Sequence, residues 1–322
     1  MKEKVNAIIL AGTKNCEPFI IGKQREYKQY LELEKKPILS YVIDAALSAK
    51  RVDKIFIIAD EKRINNILKK YESHNRNRIH IIRNQESLMQ SLLYCFKEWT
   101  PKGILLPSDA PFLQAEDIDT FIRTVDKNVD YAMGFTDGKK IDALFNELSL
   151  YVKKEKIKYG LFPIHNAQIR ISNLHYIDFT RVTTNELAFA QGVFDHRKLL
   201  KEDGRKDRKN WRKIAGACFR YLHKRKYHPA IILGSLFAIG YGILFYCSHK
   251  TRGTKLEKFY TFFLRPSFIA LIITMLTGWR IKCQIVVNDD LSPMLDIDVP
   301  ETYFLFAKNK HFEEVRNVLS KL

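Results

Sequence analysis

Val5-Asn-Ala-Ile-Ile-Leu-Ala-Gly12 decides the fold. The run is apolar apart from Asn6 and stops at a glycine, the pattern of a buried parallel strand feeding a turn. Working outward, the same pattern recurs. Lys54-Ile-Phe-Ile-Ile-Ala59, Arg78-Ile-His-Ile-Ile-Arg83 and Lys102-Gly-Ile-Leu-Leu-Pro107 predict three further strands. A polar, irregular loop runs to about Gln29, and Pro37 then stands where a helix can begin, with Ile38, Tyr41, Val42, Ala45 and Ala49 at helical spacing. Glu61 to Tyr71, Leu88 to Trp99 and Gln114 to Val125 read as helices in the same way. Short strands alternating with helices of about 10 to 14 residues predict a Rossmann-like α/β fold, a mostly parallel sheet with helices on both faces. Ligands of such sheets sit at the carboxyl ends of the strands, which directs attention to the segments after Leu10 and Leu106.

The chain has 322 residues, 46% of them apolar, enough to bury a sizeable core and to exclude disorder as the default. Lys and Arg total 54 against 36 Asp and Glu, a net +18 that suits a polyanion: a nucleotide, an anionic bilayer or a nucleic acid. The five cysteines, Cys16, Cys95, Cys218, Cys247 and Cys283, lie far apart with no Cys-x-x-Cys pair, which predicts free thiols in a reducing compartment. The opening apolar run is short and has no small-residue cleavage site, so a cytoplasmic location is expected. The histidines propose no zinc site.

Three constellations carry candidate chemistry. Leu10, Ala11 and Gly12 end a strand where backbone N–H groups can approach a phosphate, with Lys14, Lys23, Arg25 and Lys28 behind them to neutralise a leaving pyrophosphate. An ordinary strand-to-loop turn has the same outline. In Leu105-Leu-Pro-Ser-Asp-Ala-Pro-Phe112, Asp109 directly follows a buried strand, where an acid needs hydrogen bonds, a helix N-terminus or a cation. It is placed either as a helix cap or as an oxygen ligand for Mg²⁺. In Met294-Leu-Asp-Ile-Asp-Val-Pro-Glu-Thr302, Asp296 and Asp298 stand two apart and share one side of an extended segment, so both can address one cation. An acidic turn ahead of the last helix, expected from about Thr302 to Leu319, is the competing account.

Together these pieces resemble the MobA-like NTP transferases, the superfamily that includes sugar-phosphate and cytidylyl transferases with a nucleotide-binding fold. Ile8-Ile-Leu-Ala-Gly12 resembles their first strand and phosphate loop, and Lys28-Gln-Tyr-Leu-Glu-Leu-Glu-Lys-Lys-Pro-Ile-Leu39 the segment after it, especially in cytidylyltransferases of isoprenoid precursor synthesis. The resemblance implies that Lys28 contacts the triphosphate, and that Glu86, Ser87 and Ser91 lie beside base and ribose. It also implies that Asp109, in Ser108-Asp-Ala-Pro111, is the first metal ligand. Leu295-Asp-Ile-Asp-Val-Pro-Glu301 resembles the closing element, whose second ligand falls four residues before the proline, at Asp296 rather than Asp298. The likeness covers residues 1 to about 135 and about 282 to 310. It implies Mg²⁺-dependent transfer of a nucleoside monophosphate from an NTP, CTP slightly favoured, to a small phosphorylated alcohol or sugar. One departure stands out: relatives have a Gly-rich loop containing an Arg after the first strand, whereas Ala11-Gly-Thr-Lys-Asn-Cys-Glu-Pro18 retains one Gly.

Residues 197–226 hold 13 Lys or Arg against three acids, and 227–249 contain no charged residue. A second apolar stretch runs from Pro266 to Trp279, before an expected strand at Lys282 to Val287. We therefore expect a nucleotidyltransferase domain of residues 1–195 and 281–322 interrupted by a basic, apolar helical insert, 196–280. The insert has three readings: buried cap helices, a peripheral element drawn to anionic headgroups at the inner face of a membrane, or a spanning hairpin. A single crossing would separate Asp109 from Asp296. Nucleic acid is not expected as a partner, since the basic run lacks an aromatic-and-basic repeat. A membrane-associated glycosyltransferase and a non-catalytic nucleotide-binding module are the rival classes; the sequence does not give the oligomeric state.

Overall fold

The computed structural model describes residues 4–12, 18–21, 24–148, 162–164, 167–182, 228–250, 255–262, 264–277, 281–288, 292–297, 300–307 and 311–319, with isolated positions between 183 and 227. One sheet organises them. Its strands are β1 (Val5–Leu10), β6 (Val52–Ala59), β7 (Ile79–Arg83), β8 (Lys102–Pro107), β9 (Tyr131–Asp137), β11 (Ala167–Asp178) and β12 (Cys283–Asn288). Their order is β12-β9-β11-β8-β1-β6-β7, with β10 (Phe162–Ile164) paired to the start of β11. β7, β6, β1 and β8 are mutually parallel, β9 and β12 are parallel, and β11 runs antiparallel to both β8 and β9. The mostly parallel α/β sheet expected from the sequence is therefore present, with one reversed strand inserted beside β8.

Period-two alternation in β1 sorts the core. Ala7 and Ile9 face the helices α1 (Ile38–Ser48), α2 (Glu61–Leu68) and α5 (Ala115–Thr124), through Val42, Ile43, Ile64, Ile118 and Phe121. Ile8 faces the other side, where α4 (Leu88–Glu98) brings Leu92, Cys95 and Phe96 against Phe56, Ile82 and Phe179. The short helix α3 (Ser73–Arg76) joins α2 to β7, and α6 (Gly138–Leu148) follows β9.

Three local readings change. The loop expected before Gln29 contains a hairpin, β2 (Phe19–Ile21) against β3 (Gln24–Glu26), and a smaller one, β4 (Glu32–Leu33) with β5 (Lys36–Pro37), precedes α1. Glu34 and Lys35 turn that second hairpin at φ 47° and 60°, the positive values a two-residue reversal between twisted strands requires. The single polar C-terminal helix is two helices, α10 (Pro300–Ala307) and α11 (His311–Leu319), and it is not polar throughout. Phe306, Phe312 and Val315 are buried against Leu33, Ile38, Phe112, Ile141 and Leu144, a third apolar cluster beyond the strand ends.

The apolar stretches form α7 (Pro229–Lys250) and α9 (Pro266–Leu276), with α8 (Lys255–Phe262) between them. α9 packs on α7 and on β12, so it is attached to the sheet. No helix among the described residues is long and apolar enough to cross a membrane. Cys95 and Cys283 are free thiols; Cys16 and Cys218 lie outside the described residues.

Candidate active site

Asp109 follows β8 by two residues and is 8% exposed. An ionised carboxylate at that depth needs a partner. Lys28 supplies it as a direct ion pair whose lysine side chain is 30% exposed while the aspartate side chain is 11% exposed. The cation therefore remains reachable from solvent. Lys28 opens a short 3-10 turn, Lys28–Tyr30, whose next residue, Gln29, is buried and donates its side-chain amide to the carbonyl of Ala11 at 3.1 Å. This bond fixes the lysine turn against the end of β1, two strands having brought Leu10 level with Pro107.

Asp296 reaches the same place from the far end of the chain. A 3-10 turn at Ser292–Met294 follows β12, and the Ser292 hydroxyl donates to the carboxylate of Asp117. Asp117 also accepts the backbone N–H of Gln114 at 2.8 Å, which caps α5. The backbone N–H of Ile297 donates to the Asp109 carbonyl at 2.9 Å. Leu295 and Ile297 are buried in the third apolar cluster beside Phe112. With both neighbours turned inward, the intervening Asp296 emerges only partly buried. The two acid-bearing segments, remote in sequence, are thus held together by one backbone hydrogen bond and one apolar cluster.

The Asp296 carboxylate accepts from Arg170 at 3.3 Å and from the Asn173 side-chain amide at 3.1 Å. Both lie on β11, where the pairing with β9 is interrupted between Ile171 and His175 and Asn173 adopts φ 60°. Asparagine tolerates that left-handed conformation better than most residues. The irregularity places Arg170 and Asn173 past Leu105, the last β8 residue that β11 pairs with, at the carboxyl edge of the sheet. Two cations, Lys28 and Arg170, therefore flank two acids, Asp109 and Asp296, at the edge where parallel α/β sheets bind ligands.

The remaining sequence candidates fall as follows. Leu10 and Ala11 end β1, and Gly12 lies so near Asn84 that a Cβ there would stand 2.6 Å from its side-chain oxygen. This contact sets the first loop beside the segment that contains Glu86, Ser87 and Ser91. Glu86 is exposed, and Ser87 caps α4 by accepting from the N–H of Gln90 at 3.2 Å. Ser91 is buried, accepting from the N–H of Gln85 and donating to the carbonyl of Ser87, each at 2.9 Å. Arg25 is exposed on β3. Lys14, Lys23 and Asp298 lie outside the described residues. Sequence reasoning passed over Gln29, Asp117, Arg170 and Asn173. The signal for Arg170 was an arginine within the alternating strand Ala167-Gln-Ile-Arg-Ile-Ser172, on the same face as a second polar residue.

Among the described residues no group of three or more His, Cys, Asp or Glu converges into a metal cage. Two carboxylates are nevertheless the donor set that suits Mg²⁺, which keeps several waters and takes its other oxygens from substrate phosphates.

The fold and its match among known families define the class: the chain is a nucleotidyltransferase enzyme. More particularly, residues 26–179, just under half of the chain, match the family described as cytidylyltransferase. That span contains Lys28, Asp109, Arg170 and Asn173, and it begins close to the lysine segment singled out above. Among solved structures, a hypothetical transferase from Thermus thermophilus is 13% identical, with a TM-score of 0.55 over 93% of this chain and 99% of that one, a likeness of fold. A CMP:2-keto-3-deoxy-manno-octonic acid synthetase complexed with CTP is 13% identical over 99% of each chain, at a TM-score of 0.45. A 4-diphosphocytidyl-2C-methyl-D-erythritol synthase from Anaerococcus prevotii is 12% identical over 97% of this chain and 100% of that one, at 0.46. Scores below 0.5 add nothing to the fold assignment.

Proposed function

We propose that this chain transfers CMP from CTP to a small phosphorylated alcohol or sugar and releases pyrophosphate, within the wider MobA-like superfamily. The observation that carries the reading is the convergence of Lys28, Asp109, Asp296 and Arg170 at the carboxyl edge of the sheet, tied by the bond from Ile297 to Asp109. The cytidylyltransferase match over 26–179 favours cytosine over other bases.

In this reading the Lys28 ammonium exchanges Asp109 for a phosphate oxygen of the incoming nucleotide, since it is the more exposed member of the pair. Asp109 and Asp296 would hold Mg²⁺ between them. The bound ion supplies charge neutralisation at the reacting phosphates. The acceptor phosphate attacks the α-phosphorus in line, a P–O bond forms, the bond to pyrophosphate breaks, and the leaving charge falls near Lys28. A phosphate nucleophile is already anionic, so the chain needs no general base. Arg170 holds the Asp296 carboxylate in place and brings positive charge to the acceptor side of the site.

The domain division expected from the sequence belongs to the same proposal: β12, α10 and α11 complete the catalytic unit, and 196–280 is an addition to it. We place the enzyme in the cytoplasm. Incubating the protein with each NTP, Mg²⁺ and a panel of phosphorylated polyols and sugars, and measuring pyrophosphate, tests the activity. CTP should give the fastest release, dependent on acceptor. No pyrophosphate from any NTP with folded protein, or release of a nucleoside diphosphate from a sugar nucleotide, would overturn it.

A further inference from the structure

The three helices that follow residue 228 carry a surface the nucleotide site does not use. α7 is apolar all round. Its inner side packs on α9 so closely that a Cβ at Gly234 would stand 2.8 Å from the Cβ of Met275. Its outer side presents Ile232, Leu236, Ile239 and Ile243, at successive spacings of four, three and four, and all four are exposed. α8 and α9, both packed on α7, carry further exposed apolar side chains, Phe259 and Phe268 among them. Across the three helices ten large apolar side chains are 38% to 62% exposed. Taken at about half of each side chain's area, that is on the order of 900 Å² of exposed apolar surface across three helices packed on one another.

Charge selects the occupant. Residues 197–226 carry 13 basic and three acidic residues, a net +10, and residues 250–265 carry five basic and one acidic, a net +4. The uncharged stretch 227–249 is therefore bracketed by positive charge, and Lys224, Lys255 and Arg265 are exposed beside it. A second copy would bring basic rim against basic rim on chains of +18 each, which is repulsive. A bilayer with anionic headgroups satisfies both features at once: the acyl boundary takes the apolar face and the headgroups take the rim. We propose that α7, α8 and α9 dock the protein peripherally on an anionic bilayer, with α7 lying in the interfacial plane. α7 and α8 also touch β10, and β10 pairs with β11 at residues Ala167 to Ile169, immediately before Arg170. β10 thus links the docking helices to the strand that carries Arg170. The docking does not depend on the proposed reaction.

The test is flotation of the full chain with vesicles of equal parts phosphatidylcholine and phosphatidylglycerol. The protein should float with them and bind pure phosphatidylcholine more than about tenfold more weakly, with the anionic binding weakened by salt. Leu236→Ser with Ile239→Ser should weaken binding more than about tenfold, because two apolar side chains no longer enter the boundary. Pyrophosphate release with a soluble acceptor should be unaltered in that variant, which separates this proposal from the reaction itself. Hydrogen exchange of the parent protein, which needs no variant, should slow within 229–262 when these vesicles are added. Failure to float, an undiminished affinity in the double variant, or unchanged exchange would overturn the proposal. So would a dimer that the double variant dissociates while vesicles are ignored.

Discussion

Replacing Asp109 by Asn separates chemistry from folding, and the structure sets both magnitudes. The substitution keeps the shape of a buried side chain and removes its charge. Lys28 loses its ion-pair partner, yet that lysine is 30% exposed and can turn to water, so little buried charge is stranded. Removal of the carboxylate also relieves its own desolvation. The two effects oppose, and we expect a stability change within about 1–2 kcal/mol. For a domain of this size that is a fall in Tm of no more than about 5 °C. Activity should respond on another scale. A charge aligned on reacting phosphates contributes about 3–4 kcal/mol to the transition state, so kcat/KM for CTP should fall about 10²- to 10³-fold. Pyrophosphate release on parent and variant, beside thermal unfolding of each, makes the comparison. A loss below about fivefold, or a Tm fall large enough to account for the lost activity, would refute the catalytic assignment.

Three further outcomes follow from the same geometry. Arg170→Gln removes the guanidinium contact to Asp296 and should lower kcat/KM about 10- to 100-fold with little effect on Tm; unchanged kinetics would show that the 3.3 Å contact has no part in the reaction. Ser292→Ala cuts the tether from Asp117 to the Asp296 segment and should lower kcat roughly tenfold while KM for CTP stays near the parent value, with faster hydrogen exchange at residues 292–297. Equal exchange in the two proteins would remove the positioning role. His175 gives a pH dependence: burial pushes its pKa down from 6.5 to about 4, and its Nδ1 lies 2.9 Å from the Tyr131 hydroxyl. The unfolded chain binds this proton more readily, so stability is fully present above about pH 6.5 and is lost as pH falls toward 4, by roughly 2–3 kcal/mol. Urea unfolding between those limits should show the fall, and His175→Gln should flatten it; an equally steep slope in the variant would assign the effect elsewhere.

β1 was legible because a strand buried on both faces leaves a continuous apolar run, and the same signature gave β6, β7 and β8. The helices of the first half were legible for the matching reason, their spacing and the proline before α1. β11 was harder. Its reversed direction is a property of pairing, which composition does not record, and Asn173 and His175 interrupt its alternation. The division of the last helix was hidden by apolar residues that serve a different core, the cluster around Phe112 and Leu33.

In the site, Asp109 and Asp296 could be proposed because acids beside buried strands are expensive and therefore conspicuous. Lys28 was reached through resemblance to a family segment; its ion pair with Asp109 is a finding of the structure. Arg170 and Asn173 escaped because their role depends on a backbone irregularity at φ 60°, and Gln29 and Asp117 because each acts through a hydrogen bond to a residue remote in sequence.

Binding of Mn²⁺ in place of Mg²⁺, followed by electron paramagnetic resonance with CTP present, tests most directly whether Asp109 and Asp296 form one site. The account predicts one nucleotide-dependent ion per chain in the parent protein, and its loss in both Asp109→Asn and Asp296→Asn. Undiminished Mn²⁺ binding in either folded variant would contradict it.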